Sequence, residues 1–188
     1  MYWTEFLTIA IAHLFAVASP GPDFAVVTRQ SVTGGTKAGL WTSFGVAVGI
    51  LLHVGYCILG VALIVSQSPS LFNAMKYIAA LYLFYLGAQS VRQSTRLQEE
   101  SMKVSMEVSV DPGKAFLLGF LTNGLNPKAT LFFLALFTVI IDANTPTQIQ
   151  VVYGIYLALA TFAWFAMLSK LLGRSSIRDR IMRSGVWF

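Results

Sequence analysis

Apolar residues gather in five runs, near 5–28, 39–65, 71–92, 115–141 and 147–171, separated by short polar stretches. Wound as helix at 1.5 Å per residue, each run is long enough to cross the roughly 30 Å hydrocarbon core of a bilayer. The pattern predicts an all-α integral membrane protein, a polytopic helical bundle. Two runs are interrupted, the first by Ser19-Pro20-Gly21-Pro22-Asp23 and the fourth by Asn123-Gly124-Leu125-Asn126-Pro127-Lys128. A proline removes the hydrogen bond to the carbonyl four residues back, which here frees those of Ala16, Ala18 and Asn123. In hydrocarbon such groups must find another partner. Spans one and four are therefore expected to be broken helices, with Pro20, Pro22 and Pro127 at the breaks, an arrangement that marks transport sites.

Composition agrees with the pattern: 56% of the 188 residues are hydrophobic and 11% charged, with a mean hydropathy of +0.68. The formal charge of +5 does not indicate nucleic acid as a partner, because the basic residues fall in short segments between the runs rather than on one face of a soluble domain. The partner implied is the lipid bilayer. Cys57 is the one cysteine and sits in an apolar run, so there is no disulfide framework, CxxC pair or thiolate metal cluster. The N-terminus lacks the basic region and cleavage site of a signal peptide, so the first span is expected to remain in the mature protein.

Lys and Arg mark every second connection: Arg29 and Lys37; then Arg92, Arg96, Lys103 and Lys114; then Lys170, Arg174, Arg178, Arg180 and Arg183. Under the positive-inside rule these connections are cytoplasmic and the N-terminus is outside. The long hydrophilic stretch 93–113 reads as a cytoplasmic linker between a first three-span repeat, 1–92, and a second repeat, 114–188. Spans one and four then run in opposite directions and both are broken, as in a 3+3 inverted repeat. Sliding the chain by 105 residues lays Pro22-Asp23 on Pro127-Lys128, although few other positions agree. Six spans would complete the repeat. The second half is expected to lack its last span, since the chain ends at Gly185-Val186-Trp187-Phe188, where a sixth would be starting.

The polar residues inside the runs carry the candidate chemistry. An ionised carboxylate at the bilayer centre costs about 2.5–3.5 kcal/mol on insertion scales. Asp23 is therefore a ligand for an ammonium group or a proton carrier, or else a helix N-terminal carboxylate stabilised by the dipole. Lys128 lies about 21 Å from either end of its run, beyond ordinary snorkelling, and should face the protein interior. Counting rise along straight helices puts Asp23 and Lys128 about 12 Å apart in depth, which argues against a direct ion pair. Asn123 and Asn126 can donate and accept, which suits either a zwitterionic ligand or capping of the broken helix. His13 and His53 are candidate proton relays together with Asp23, or packed histidines. Gly45, Gly49, Gly55 and Gly60 read as packing glycines that also offer a face for a homo-oligomer. Trp164 is a packing residue by default and a candidate cavity wall. No HExxH, GxSxG or paired cysteine points to an enzyme, and no catalytic or metal-ligating set is assigned.

The segments His13-Leu14-Phe15-Ala16-Val17-Ala18-Ser19-Pro20-Gly21-Pro22-Asp23-Phe24, Gly119-Phe120-Leu121-Thr122-Asn123 and Asn126-Pro127-Lys128-Ala129 resemble the lysine exporter (LysE) superfamily, most closely its RhtB-type threonine and homoserine branch. The resemblance extends over nearly the whole chain. It implies a bacterial inner-membrane efflux permease for threonine- or homoserine-like neutral amino acids, without a cofactor and driven by the proton gradient. Asp23, Gly21, Asn123, Asn126 and Lys128 are the substrate-binding candidates. The alternatives are a channel-like or non-transporting membrane subunit, and an intramembrane enzyme. A channel would place polar residues along a continuous pore, whereas here they are confined to two breaks.

Overall fold

The computed structural model of the chain describes residues 2–68, 70, 74, 77, 78, 81, 84 and 111–174. Among these, every regular element is helical. Helix α1, Tyr2–Ala18, ends where Ser19-Pro20-Gly21 interrupt the ladder, and α2, Pro22–Gln67, begins on a proline. At the first helical position a proline's missing N–H is no loss. The 46 residues of α2 are non-helical only at Gly35, with φ 74° and ψ −177°. Glycine is the default residue for that conformation. The stretch from Arg29 to Lys37, expected as a loop between spans one and two, is thus helical on both sides of a one-residue turn.

Helix α3, Pro112–Gly124, is capped by Asp111, whose Oδ1 accepts from the N–H groups of Gly113 at 2.9 Å and Lys114 at 3.2 Å. After a short break, α4, Pro127–Ala135, is capped by Asn126, whose Oδ1 accepts from Lys128 N at 2.9 Å. The two directions differ by 56°. A π-helical turn, Leu136–Ile140, ends α4, with Ile141 N donating to Leu136 O at 3.0 Å. Helix α5, Thr147–Leu172, completes the described chain.

Pro22–Gly60 of α2 and the whole of α5 are long and apolar enough to cross a membrane, and α3–α4 are so as one bent pair. The first expected span is divided between the 17-residue α1 and the start of α2, so both expected broken helices are present. Ala74, Tyr77, Ile78, Leu81 and Phe84, of the expected third span, are helical. The rest of that span, positions 93–110 of the linker and residues beyond 174 lie outside the described residues.

Small residues let α2 and α3 approach backbone to backbone. A Cβ on Gly45 would overlap the Phe116 carbonyl, and one on Gly119 the Thr42 carbonyl; one on Gly49 would fall 2.7 Å from Asn123 Oδ1. Close packing of this kind is the main source of helix association in lipid. Gly45 and Gly49 are accordingly packing glycines, and their contact brings Asn123 against α2. Gly55 and Gly60 meet nothing within 4 Å among the described residues.

Two apolar clusters hold the bundle. The larger joins Ile9 of α1, Ile50 and Val54 of α2, Phe132 and Phe133 of α4, and Leu157 of α5; the smaller joins Val27, Val46 and Phe165, with Phe24 and Trp164 packed against it. At the start of α1, Glu5 ties that helix to α5 and to the loop before it. Its carboxylate accepts from the Tyr153 hydroxyl at 3.1 Å, the Thr145 hydroxyl at 2.9 Å and Asp142 N at 3.0 Å. Leu51, Leu59, Leu117 and Leu159 face outward and present the apolar surface that a bilayer requires.

Candidate functional site between two helix breaks

The two breaks meet, and each supplies what the other lacks. From the first, Asp23 extends its carboxylate from the opening turn of α2; Oδ2 accepts from Asn123 Nδ2 at 2.9 Å and Asn126 Nδ2 at 3.2 Å. From the second, Lys128 Nζ donates to the carbonyls of Ser19 at 3.1 Å and Pro20 at 3.3 Å. Those carbonyls lie where the ladder of α1 has stopped, so an ammonium group takes the place of the missing backbone donors. Gly21 makes room for it, since a Cβ there would stand 3.3 Å from Lys128 Nζ.

The Asn123 carbonyl, freed by Pro127, is met by His53 Nε2 at 3.0 Å and by Asn126 N at 2.9 Å. A carbonyl only accepts, so Nε2 carries the proton and Nδ1 takes the hydroxyl hydrogen of Tyr56. His53 is fully buried and stacks on Phe133 with centroids 5.5 Å apart. One ring nitrogen holds the second break and the other is tied to Tyr56 of the same helix.

Asp23, Gly21, Asn123, Asn126 and Lys128 all line one cavity, which encloses about 500 Å³ including its open mouth. Straight-helix counting separated Asp23 from Lys128 in depth. The bend between α3 and α4 and the interruption after α1 bring both to the same space. His13 enters it from α1, with Nε2 2.8 Å from Thr161 Oγ1 on α5. Ala16, Val17, Ile50, Phe132, Phe133 and Phe165 form the apolar walls. His53 does not line this cavity, and Trp164 packs in the smaller cluster beside its neighbour Phe165, which does.

Two buried oxygens at the site have no hydrogen-bond partner among the described residues: Asp23 Oδ1, and Asn123 Oδ1 where it lies against Gly49. A carboxylate with one oxygen held by two amides and the other unpaired is oriented toward a donor that the described residues do not supply. Groups able to provide one are an ammonium, a hydroxyl or a proton on the carboxyl itself. Sequence reasoning did not single out Thr161 or the Ser19 carbonyl. The proline pattern points to the nearby carbonyls of Ala16 and Ala18 rather than to that of Ser19, and Thr161 is one hydroxyl in an apolar run.

A family model described as LysE type translocator matches residues 14–184. The chain belongs to this family. The Threonine efflux protein of Escherichia coli (strain K12) is 30% identical to it over 184 residues, covering 97% of this chain and 88% of that protein. The Leucine efflux protein of Klebsiella pneumoniae subsp. pneumoniae is 30% identical over 167 residues, covering 87% of this chain and 77% of that protein. That of Salmonella choleraesuis is 33% identical over 147 residues, with 77% and 65% covered. No solved structure matches the chain. This LysE-family translocator is a helical membrane protein of bacterial type, and its family and relatives are transporters.

Proposed function

We propose that this LysE-family chain is an amino-acid efflux permease, a secondary transporter that exports threonine- and homoserine-like neutral amino acids across the bacterial inner membrane. The observation that carries the reading is the buried, unpaired Asp23 Oδ1 in a cavity between two helix breaks. An α-ammonium group supplies the donor this oxygen lacks, and Lys128 at the edge of the same cavity attracts the α-carboxylate. Asn123 and Asn126 fix the Asp23 carboxylate and so set the orientation of the bound zwitterion. Asp23 takes either the substrate ammonium on the way out or a proton on the way back, and this exclusive occupancy couples export to the proton gradient. The N-terminus is outside, in keeping with the basic connections of the sequence. The two halves, as inverted repeats, rock about the paired breaks to expose the site alternately.

Efflux of labelled threonine and homoserine from preloaded cells tests this directly. The unmodified chain exports both. Asp23→Asn removes the charge facing the ammonium and lowers efflux about 100-fold or more, the scale of a buried charge left unpaired. Undiminished efflux by Asp23→Asn, at matched membrane abundance, overturns the assignment.

A further inference from the structure

The cavity has a second polar end. About six helical residues along α1 from Ser19, a rise of about 9 Å, His13 faces Thr161 of α5 across the same space. Both side chains are buried, at 4% and 2% exposure, and their bond of 2.8 Å joins positions 148 residues apart. The walls between this pair and the breaks are aliphatic and aromatic. A polar pair set into such a wall carries a desolvation cost that apolar packing would not. It also keeps unused capacity. A threonine hydroxyl offers one donor and two acceptor positions, and a neutral imidazole one of each, so their mutual bond leaves further hydrogen-bonding positions. Among the described residues His13 Nδ1 has no partner.

We infer that His13 and Thr161 form the side-chain pocket of the transport site and select substrates bearing a hydroxyl on the β- or γ-carbon. The inference rests on the amino-acid efflux reading and deepens it. With the zwitterion held at the breaks, the substrate side chain extends along the apolar walls toward the pair. A methyl in place of the hydroxyl leaves the pair without its third partner among apolar walls, and a site built for a hydroxyl rejects that analogue. The selected class is therefore small hydroxy amino acids, as opposed to branched aliphatic ones of equal size.

The test compares threonine with valine, its near isostere, in export from proteoliposomes loaded with one labelled amino acid or the other. Wild-type protein exports threonine in preference to valine. Thr161→Val keeps the shape of the side chain and removes its hydroxyl, and it lowers the threonine-to-valine export ratio about five- to ten-fold, the worth of one neutral hydrogen bond. His13→Gln, which retains a donor and an acceptor, lowers the ratio less. An unchanged ratio in Thr161→Val overturns the inference, as does an equal fall for both substrates in both variants. Wild-type protein that exports valine as readily as threonine overturns the hydroxyl pocket alone, leaving amino-acid efflux in place. Wild-type protein that exports neither overturns the efflux reading and the pocket with it.

Discussion

The two helix breaks solve the same problem by different means. The second supplies most of its own partners: Asn126 caps α4 and donates its N–H to Asn123 O, while His53, from a helix packed tightly alongside, provides the remaining bond. The first has carbonyls at Ser19 and Pro20 that are met by an ammonium 108 or 109 residues away. A segment satisfied from within is fixed by its own folding. One satisfied from across an interface keeps its geometry only while that interface holds, so its partners can be exchanged without unfolding it. In this translocator the second break is the frame and the first is the part whose contacts are conditional.

The largest effect is expected where the frame is assembled. Gly119→Val pushes a side chain into the Thr42 carbonyl, and neither backbone can retreat without separating α3 from α2. Loss of folded, membrane-extracted protein on size-exclusion chromatography is the expected outcome, with export lost in proportion. Next is the conditional break. Lys128→Met keeps much of the side-chain volume but leaves the Ser19 and Pro20 carbonyls without their cation, and charge-assisted bonds of this kind contribute about 1.5–3 kcal/mol. Export should fall more than 10-fold, with a clear loss of thermal stability in detergent. Lys128→Arg should recover part of both. A Lys128→Met protein with wild-type melting and export would mean that the first break does not depend on the second.

Much of this opposition can be read from particular residues. Prolines inside apolar runs announce freed carbonyls, and the neighbouring Asp23, Asn123, Asn126 and Lys128 announce the groups that answer them, so the members of the cavity's charged end were legible. Their arrangement was not. Helical rise along straight axes put Asp23 and Lys128 at different depths, whereas the 56° bend and the interruption after α1 bring them together. The connection between the first two expected spans was read too long, because Arg29 and Lys37 look like a loop while only Gly35, inside α2, leaves the helix. Thr161 was hidden by chemistry. Ser31, Thr42 and Thr138 are also hydroxyls in apolar helices, and each bonds the carbonyl four residues back. Sequence cannot tell such a self-satisfied hydroxyl from one that reaches across the bundle to His13.

Asn126 does two jobs, and substitution can separate them. Asn126→Ala loses both the cap on α4 and one donor to Asp23, at a cost of about 1 kcal/mol for the cap alone. Asn126→Asp keeps the cap but sets a second carboxylate against Asp23. If the amide matters only to the frame, Asp at this position melts and transports like wild type. The expected result is melting near that of wild type with impaired export, because the carboxylate of Asp23 has lost a donor and gained a like charge.

The smallest effect is expected at His53, and it sharpens the contrast most. His53→Phe preserves the flat ring stacked on Phe133 and removes the bonds to the part-buried Tyr56 hydroxyl and to Asn123 O, which still receives the Asn126 N–H. The cost should be about 1 kcal/mol or less in a thermal melt, since the carbonyl is not left bare. Transport distinguishes a frame residue from a proton relay. A relay is needed for net export driven by a pH gradient but not for exchange of labelled for unlabelled substrate across proteoliposomes at equal pH. With one ring nitrogen at the second break and the other on Tyr56, His53→Phe should lower gradient-driven export and exchange by the same small factor. A selective loss of gradient-driven export would instead make His53 part of the proton path, and the second break would then be more than a frame.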